Sequence, residues 1–144
     1  MYEGLVIHLA RSGDNISEHF TYGELADPRD GTLILHTGFL DHLEHARRLA
    51  GRPFIVNSCC RTPASNKRVG GHPRSLHLTD NPVHPTTGAM AIDISTATWE
   101  KEEVHSLIDK LWAYGWSYGI GANYSFLHLD MRISIGLPQT WFEY

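Results

Sequence analysis

Two short apolar segments carry polar groups where a buried strand should have none. They are Ala91-Ile92-Asp93-Ile94 and Phe126-Leu127-His128-Leu129-Asp130-Met131. Residues two apart on a strand share a face, so His128 and Asp130 point the same way. A buried carboxylate is tolerated only with a cation, hydrogen bonds or a metal. If Asp93 and His128 stand on neighbouring strands, they meet over one sheet face. A third ligand would then complete a catalytic zinc set, which commonly has three protein ligands and an open position for water. The long segment 61–88, which precedes Asp93, offers His72, His77 and His84. Ten histidines in the chain make that chemistry available without proving it. The alternative at this point is a turn-capping Asp93 and a satisfied core histidine at His128, since no compact His-Glu-x-x-His helix signature is present.

The rest of the pattern sets these strands in a fold. Leu40, Leu43, Ala46 and Leu49 recur at helical spacing over Phe39 to Ala50, and Gly51-Arg52-Pro53 is a stop signal. Phe54-Ile55-Val56 reads as a buried strand. Residues 61–88 show no periodicity and read as one long functional loop. Val104, Leu107, Ile108, Leu111 and Trp112 predict a second helix, with Thr98 as N-cap, Glu100, Glu102 and Glu103 at its positive end and Gly115 beyond its C-terminus. Tyr118-Gly119-Ile120-Gly121 and the His128 segment read as strands joined by Ala122-Asn123-Tyr124-Ser125. The tail from Gly136 to Tyr144 reads as irregular, packed back through Trp141 and Phe142. Helices set apart from late, grouped strands predict an α+β fold with a mainly antiparallel sheet. Helices would cover one side, and the zinc site would lie on the open face.

The chain has 144 residues, which fits a single domain spanning 1–144. No run approaches the roughly 20 apolar residues of a membrane helix. The start has no basic region followed by an apolar run, so no secretory signal is expected. A formal net charge of -4 argues against nucleic acid as partner. The two cysteines, Cys59 and Cys60, are adjacent, a poor geometry for a disulfide and an incomplete set for zinc.

An ordered series of motifs then carries a resemblance. It runs Ser58-Cys59-Cys60-Arg61-Thr62-Pro63, Asn66, Val69-Gly70-Gly71, Ser75-Leu76-His77, Gly88, Ala91-Ile92-Asp93, and Phe126 to Arg132 through His128-Leu129-Asp130. The series resembles the zinc D-alanyl-D-alanine carboxypeptidase family, especially its small phage-endolysin and murein-endopeptidase branch. Ser17-Glu18-His19-Phe20-Thr21-Tyr22-Gly23-Glu24-Leu25 is similar to the opening of such domains. The resemblance implies a Zn2+ cofactor held by His77, Asp93 and His128. It implies Ser75 hydrogen-bonding near the site and Arg61 binding a substrate carboxylate or carbonyl oxygen, a role that suits the planar guanidinium. The implied substrate is a peptide of bacterial peptidoglycan, reached from the cytoplasm if the protein is a phage lysin.

The chain departs from that family in three places. Fifteen residues separate His77 from Asp93, a longer interval than usual, so 79–87 is expected as a surface loop with His84 as an alternative ligand. Cys59-Cys60 replaces Gly-Tyr before Arg61; Cys60 is expected near the groove, as a packing residue rather than a nucleophile. Ser125 stands where relatives often place the acidic general base. Asp130 then either activates the water or orients a ligand. His72 and Arg74 are candidates for substrate contact, or solvated loop residues. Trp116, Tyr118 and Tyr124 are candidates for the groove wall or the core. Two rivals remain: a non-catalytic phage structural or cell-wall-binding module on the same fold, and a zinc amidase cutting between sugar and peptide.

Overall fold

The computed structural model describes residues 4–6, 13–83 and 86–144. Nine strands and four α-helices lie within them: β1 Gly4–Val6, α1 Tyr22–Leu25, β2 Ile34–His36, α2 Phe39–Ala50, β3 Val56–Ser58, α3 Pro63–Arg68, β4 Asp80–Asn81, β5 Thr86–Thr87, β6 Ala91–Ser95, α4 Lys101–Trp112, β7 Ser117–Ile120, β8 Phe126–Asp130 and β9 Trp141–Glu143. The main sheet has the order β3-β6-β8-β7-β9. Its pairs are antiparallel except β7 with β9, which run parallel. The fold is α+β, as the grouping of helical and strand patterns predicts.

Strand alternation divides the sheet into two chemistries. Ile92, Ile94, Leu127 and Leu129 are fully buried in one core with Leu43, Ala46, Val104, Leu107 and Leu111 of the two long helices. Each such side chain contributes about 1.5–3 kcal/mol by leaving water. Their strand neighbours Asp93, His128 and Asp130 therefore face the opposite side. Helix α2 occupies the span its periodicity predicts. It ends at Gly51, whose left-handed backbone (φ 67°) turns its N–H onto the Arg47 and Arg48 carbonyls.

Four expectations need correction. Helix α4 begins later than Thr98 suggests, because the Glu100 N–H donates to Glu103 Oε1 at 2.9 Å and fixes the start there. Residues 61–88 are not one loop. Thr62 caps α3 by accepting the Ser65 N–H at 3.2 Å, with Pro63 in the first turn, where a missing N–H costs nothing. Further on, β4 and β5 form a two-stranded antiparallel hairpin. The strand read at 54–56 is shifted to β3, although its ladder reaches back to Ile55, whose carbonyl accepts the Ser95 N–H at 2.8 Å. The tail is not irregular: β9 joins the sheet edge beside β7, with Trp141 opposite Tyr118 and Phe142 opposite Gly119. No described helix is long and apolar enough to cross a membrane.

Candidate metal centre

Asp93 and His128 sit at the middle of β6 and β8 and are direct cross-strand partners. Directly opposed residues bring their Cβ atoms to about 5 Å, so the two side chains must meet. Asp93 Oδ1 lies 2.8 Å from His128 Nδ1, and its Oδ2 lies 3.2 Å from His77 Nε2. His77 arrives from outside the sheet, in the segment between α3 and β4. Its backbone is fixed by the Arg61 N–H, which donates to the His77 carbonyl at 2.9 Å, and by the His77 N–H, which donates to Ser75 Oγ at 3.2 Å. One ligand atom from each of His77, Asp93 and His128 lies within 4.8 Å of the others.

The partners around this triad decide which atoms face inward. The Cys59 carbonyl can only accept, so at 2.7 Å it receives a hydrogen bond from the His77 Nδ1–H and leaves the Nε2 lone pair toward Asp93. His128 Nε2 lies 2.8 Å from Asp130 Oδ2, which leaves Nδ1 on the triad side. Asp130 has no exposed surface and is itself clamped. Arg132 donates from Nη2 to its Oδ2 at 2.8 Å and from Nε to its Oδ1 at 3.0 Å, and the Arg132 N–H reaches Oδ1 at 3.2 Å. Two inward histidine nitrogens, a carboxylate between them, and outer partners on both rings fit a three-ligand catalytic zinc site.

The electrostatics agree with a cation at this place. Burial pushes Asp93 up, but the hydrogen bonds and charges of His128 and His77 outweigh it and hold the carboxyl well below its ordinary range. Burial pulls His128 down, but Asp130 and Asp93 raise it to about 9. Burial likewise pushes Asp130 up, while His128 and Arg132 hold it at about 2. Asp93 and Asp130 are thus ionised on either side of His128, and the three inward atoms form a group that could hold a divalent cation in place of the imidazolium proton.

The triad forms the floor of a cleft of about 670 Å³. Arg61, His72, Arg74 and Ser75 line one part of it, and Phe126, Arg132, Leu137, Phe142 and Tyr144 another. Arg61 is held by neutral acceptors, Asn66 Oδ1 at 3.0 Å and Ser58 Oγ at 3.4 Å. Gly71 makes room for that arrangement: a Cβ there would stand 2.0 Å from Asn66 Oδ1 and 2.8 Å from Arg61 Nη1.

Other expectations fall elsewhere. His84 lies outside the described residues. Cys59 and Cys60 are buried free thiols; Cys60 Sγ lies 3.4 Å from the Ile34 carbonyl, beneath the cleft rather than in it. Trp116 is in the core against Phe39, Tyr118 packs on Trp112 and Trp141, and Tyr124 on His105, so none of the three lines the cleft. Ser125 is exposed and also outside it. The groove aromatics are Phe142 and Tyr144 instead, with ring centroids 5.6 and 6.3 Å from that of His128. The strand-favouring aromatics Trp141, Phe142 and Tyr144 were the available signal. Gly119 admits them: a Cβ there would lie 2.5 Å from both rings.

A mainly antiparallel sheet with a His-Asp-His donor set on its uncovered face has the makings of a metallohydrolase. Residues 16–130 match the family model described as Peptidase M15. The match covers most of the chain, and the chain belongs to the M15 peptidase family. No curated protein and no solved structure matches it.

Proposed function

We propose that the protein is a zinc peptidase acting on peptide stems or cross-links of bacterial peptidoglycan, as an endolysin or a D-alanyl-D-alanine carboxypeptidase does. The observation that carries this reading is the convergence of His77, Asp93 and His128 on the floor of a cleft that also holds Arg61. Zinc held by these three residues supplies Lewis acidity toward a carbonyl oxygen and a water acidified enough to attack near neutral pH. Cys59 and Asp130 fix the tautomer and tilt of the two histidines. Arg61 has no carboxylate partner among the described residues and receives the substrate's carboxylate or a carbonyl oxygen. Asp130 is better suited to orient His128 than to take a proton from water, because it is fully buried and both its oxygens are already engaged. Phe142 and Tyr144 exclude water from one side of the reacting centre.

A second reading has one observation in its favour. Among the described residues, no carboxylate free of partners lines the cleft, and Ser125 leaves the usual base position empty of acid. A binding module that keeps the fold and the metal would look the same. Digestion of purified peptidoglycan, with and without chelator, separates the two. Peptidase action releases new amino and carboxyl termini that vanish with chelator. No release from zinc-supplied protein favours the binding module. A free lactyl carboxyl on the sugar together with a new amino terminus on the stem peptide, and no new peptide carboxyl terminus, would instead indicate an amidase.

A further inference from the structure

The extended interval between His77 and Asp93 has a mechanical consequence at the cleft. Its hairpin brings Asn81, 3% exposed, beneath the segment that leads into His77. The Asn81 amide donates to the Arg74 carbonyl at 3.3 Å and to the Ser75 carbonyl at 3.2 Å, while Asn81 Oδ1 takes the Val83 N–H at 3.1 Å. A buried amide satisfied in this way fixes the backbone it holds. The same segment is folded on itself, since the Arg74 N–H donates to His72 Nδ1 at 3.0 Å and the Ser75 N–H to the His72 carbonyl at 3.0 Å. Arg74 lines the cleft and is in no ion pair among the described residues. The cleft thus presents two guanidinium groups, Arg61 and Arg74, without an acid for either. Its two carboxylates are already committed, Asp93 to the histidines and Asp130 to His128 and Arg132.

We infer that the cleft takes a peptide end bearing two carboxylates, one for Arg61 and a second, on a side chain or branch, for Arg74 held in place by Asn81. This rests on the peptide-binding reading above and names the substrate class within it. Arg61 is half-buried and Arg74 is exposed, so a carboxylate on Arg61 is worth roughly a factor of ten in affinity and one on Arg74 roughly a factor of three.

The test uses zinc-supplied protein and three matched probes. They are N-acetyl-lysyl-D-alanyl peptides ending in D-glutamate, D-glutamine or D-glutamine amide. A ketomethylene unit replaces the last amide, so that nothing can be cut. Calorimetric titration should give affinity falling about threefold from glutamate to glutamine and about tenfold from glutamine to glutamine amide. Arg74→Gln should erase the first step, and Asn81→Ala should shrink it. Arg68→Gln, which removes an exposed arginine of α3 outside the cleft, should keep both steps. Equal binding of the glutamate and glutamine probes by wild type, or a preference that survives Arg74→Gln, overturns the inference. If the preference is found but the corresponding amide-linked peptide is not hydrolysed, the two-carboxylate subsite stands and the peptidase reading falls.

Discussion

Among the described residues, two places bring a histidine and carboxylates close enough to share an ion, and they differ in what their lone pairs face. At the cleft floor, His77, Asp93 and His128 turn nitrogen and oxygen atoms toward one another, and their outward atoms are occupied by Cys59 and Asp130. Against the middle of α2, Glu18, His19 and Glu44 also lie close enough to share an ion. There Glu44 is saturated: Ser17 Oγ donates to Oε2 at 2.6 Å, the His19 N–H to Oε2 at 2.8 Å, and His19 Nδ1 lies 2.6 Å from Oε1. Glu18 is largely exposed and stands 3.9 Å from His19. The second group is a brace that ties residues 17–19 to α2. Proximity of ligand types does not make a metal centre; rigid strands and outer partners that turn free lone pairs inward do.

The contrast breaks most easily at Asp93. Asp93→Ala should abolish zinc uptake while leaving the fold intact, whereas Glu44→Ala should leave zinc uptake unchanged; metal analysis of both variants checks this. Retained zinc in Asp93→Ala would mean that the ion sits elsewhere. Next in size, Asp130→Asn should weaken zinc binding by about 10–100-fold through loss of the partner that orients His128, read by competition against a chromophoric chelator. Unchanged affinity would make Asp130 a bystander to the metal.

How much of this was legible in the sequence follows from the range of the forces involved. Asp93, His128 and Asp130 stood out because strand alternation is local and a polar group in an apolar run is conspicuous. Helix α2 was legible for the same reason. His77 could not be separated from His72 and His84 by spacing alone, since the parallel bridge between Arg61 and Leu78 places its backbone and the Cys59 carbonyl and Asp93 orient its ring, all of them far off in sequence. The family resemblance supplied it. Arg132, Phe142 and Tyr144 were missed as site residues, and all three lie beyond the residues 16–130 matched by the family model. Their placement depends on a parallel strand pairing that no short-range pattern encodes. The start of α4 falls at Glu100 rather than at Thr98 because the bond from the Glu100 N–H to Glu103 Oε1 fixes it there, a pairing that the Thr98 reading did not weigh.

The brace makes a smaller prediction, with a sign set by its titration. Burial pushes the Glu44 carboxyl up, but Ser17 and His19 outweigh it and hold the group below its ordinary 4.5. A carboxyl depressed by folding contributes stability above its unfolded pKa and loses it as pH falls through the folded value. Glu44→Gln should therefore cost about 1–3 kcal/mol at neutral pH, and denaturant titrations should show that cost shrinking below pH 4.5. A pH-independent cost would assign the effect to shape rather than charge. Of similar or smaller size, Gly119→Ala should displace Phe142 and Tyr144 at a cost of about 1–3 kcal/mol, with near-ultraviolet dichroism reporting the loosened rings. No spectral change would mean that β9 does not rest on Gly119.

The most direct test of the central claim is the zinc content of purified protein after exposure to zinc and removal of the excess, compared between wild type and His128→Ala. One zinc per chain in the wild type and none in the folded variant is the expected result. A wild type that takes up no zinc, or a variant that takes up as much, would contradict a metal centre built from His77, Asp93 and His128.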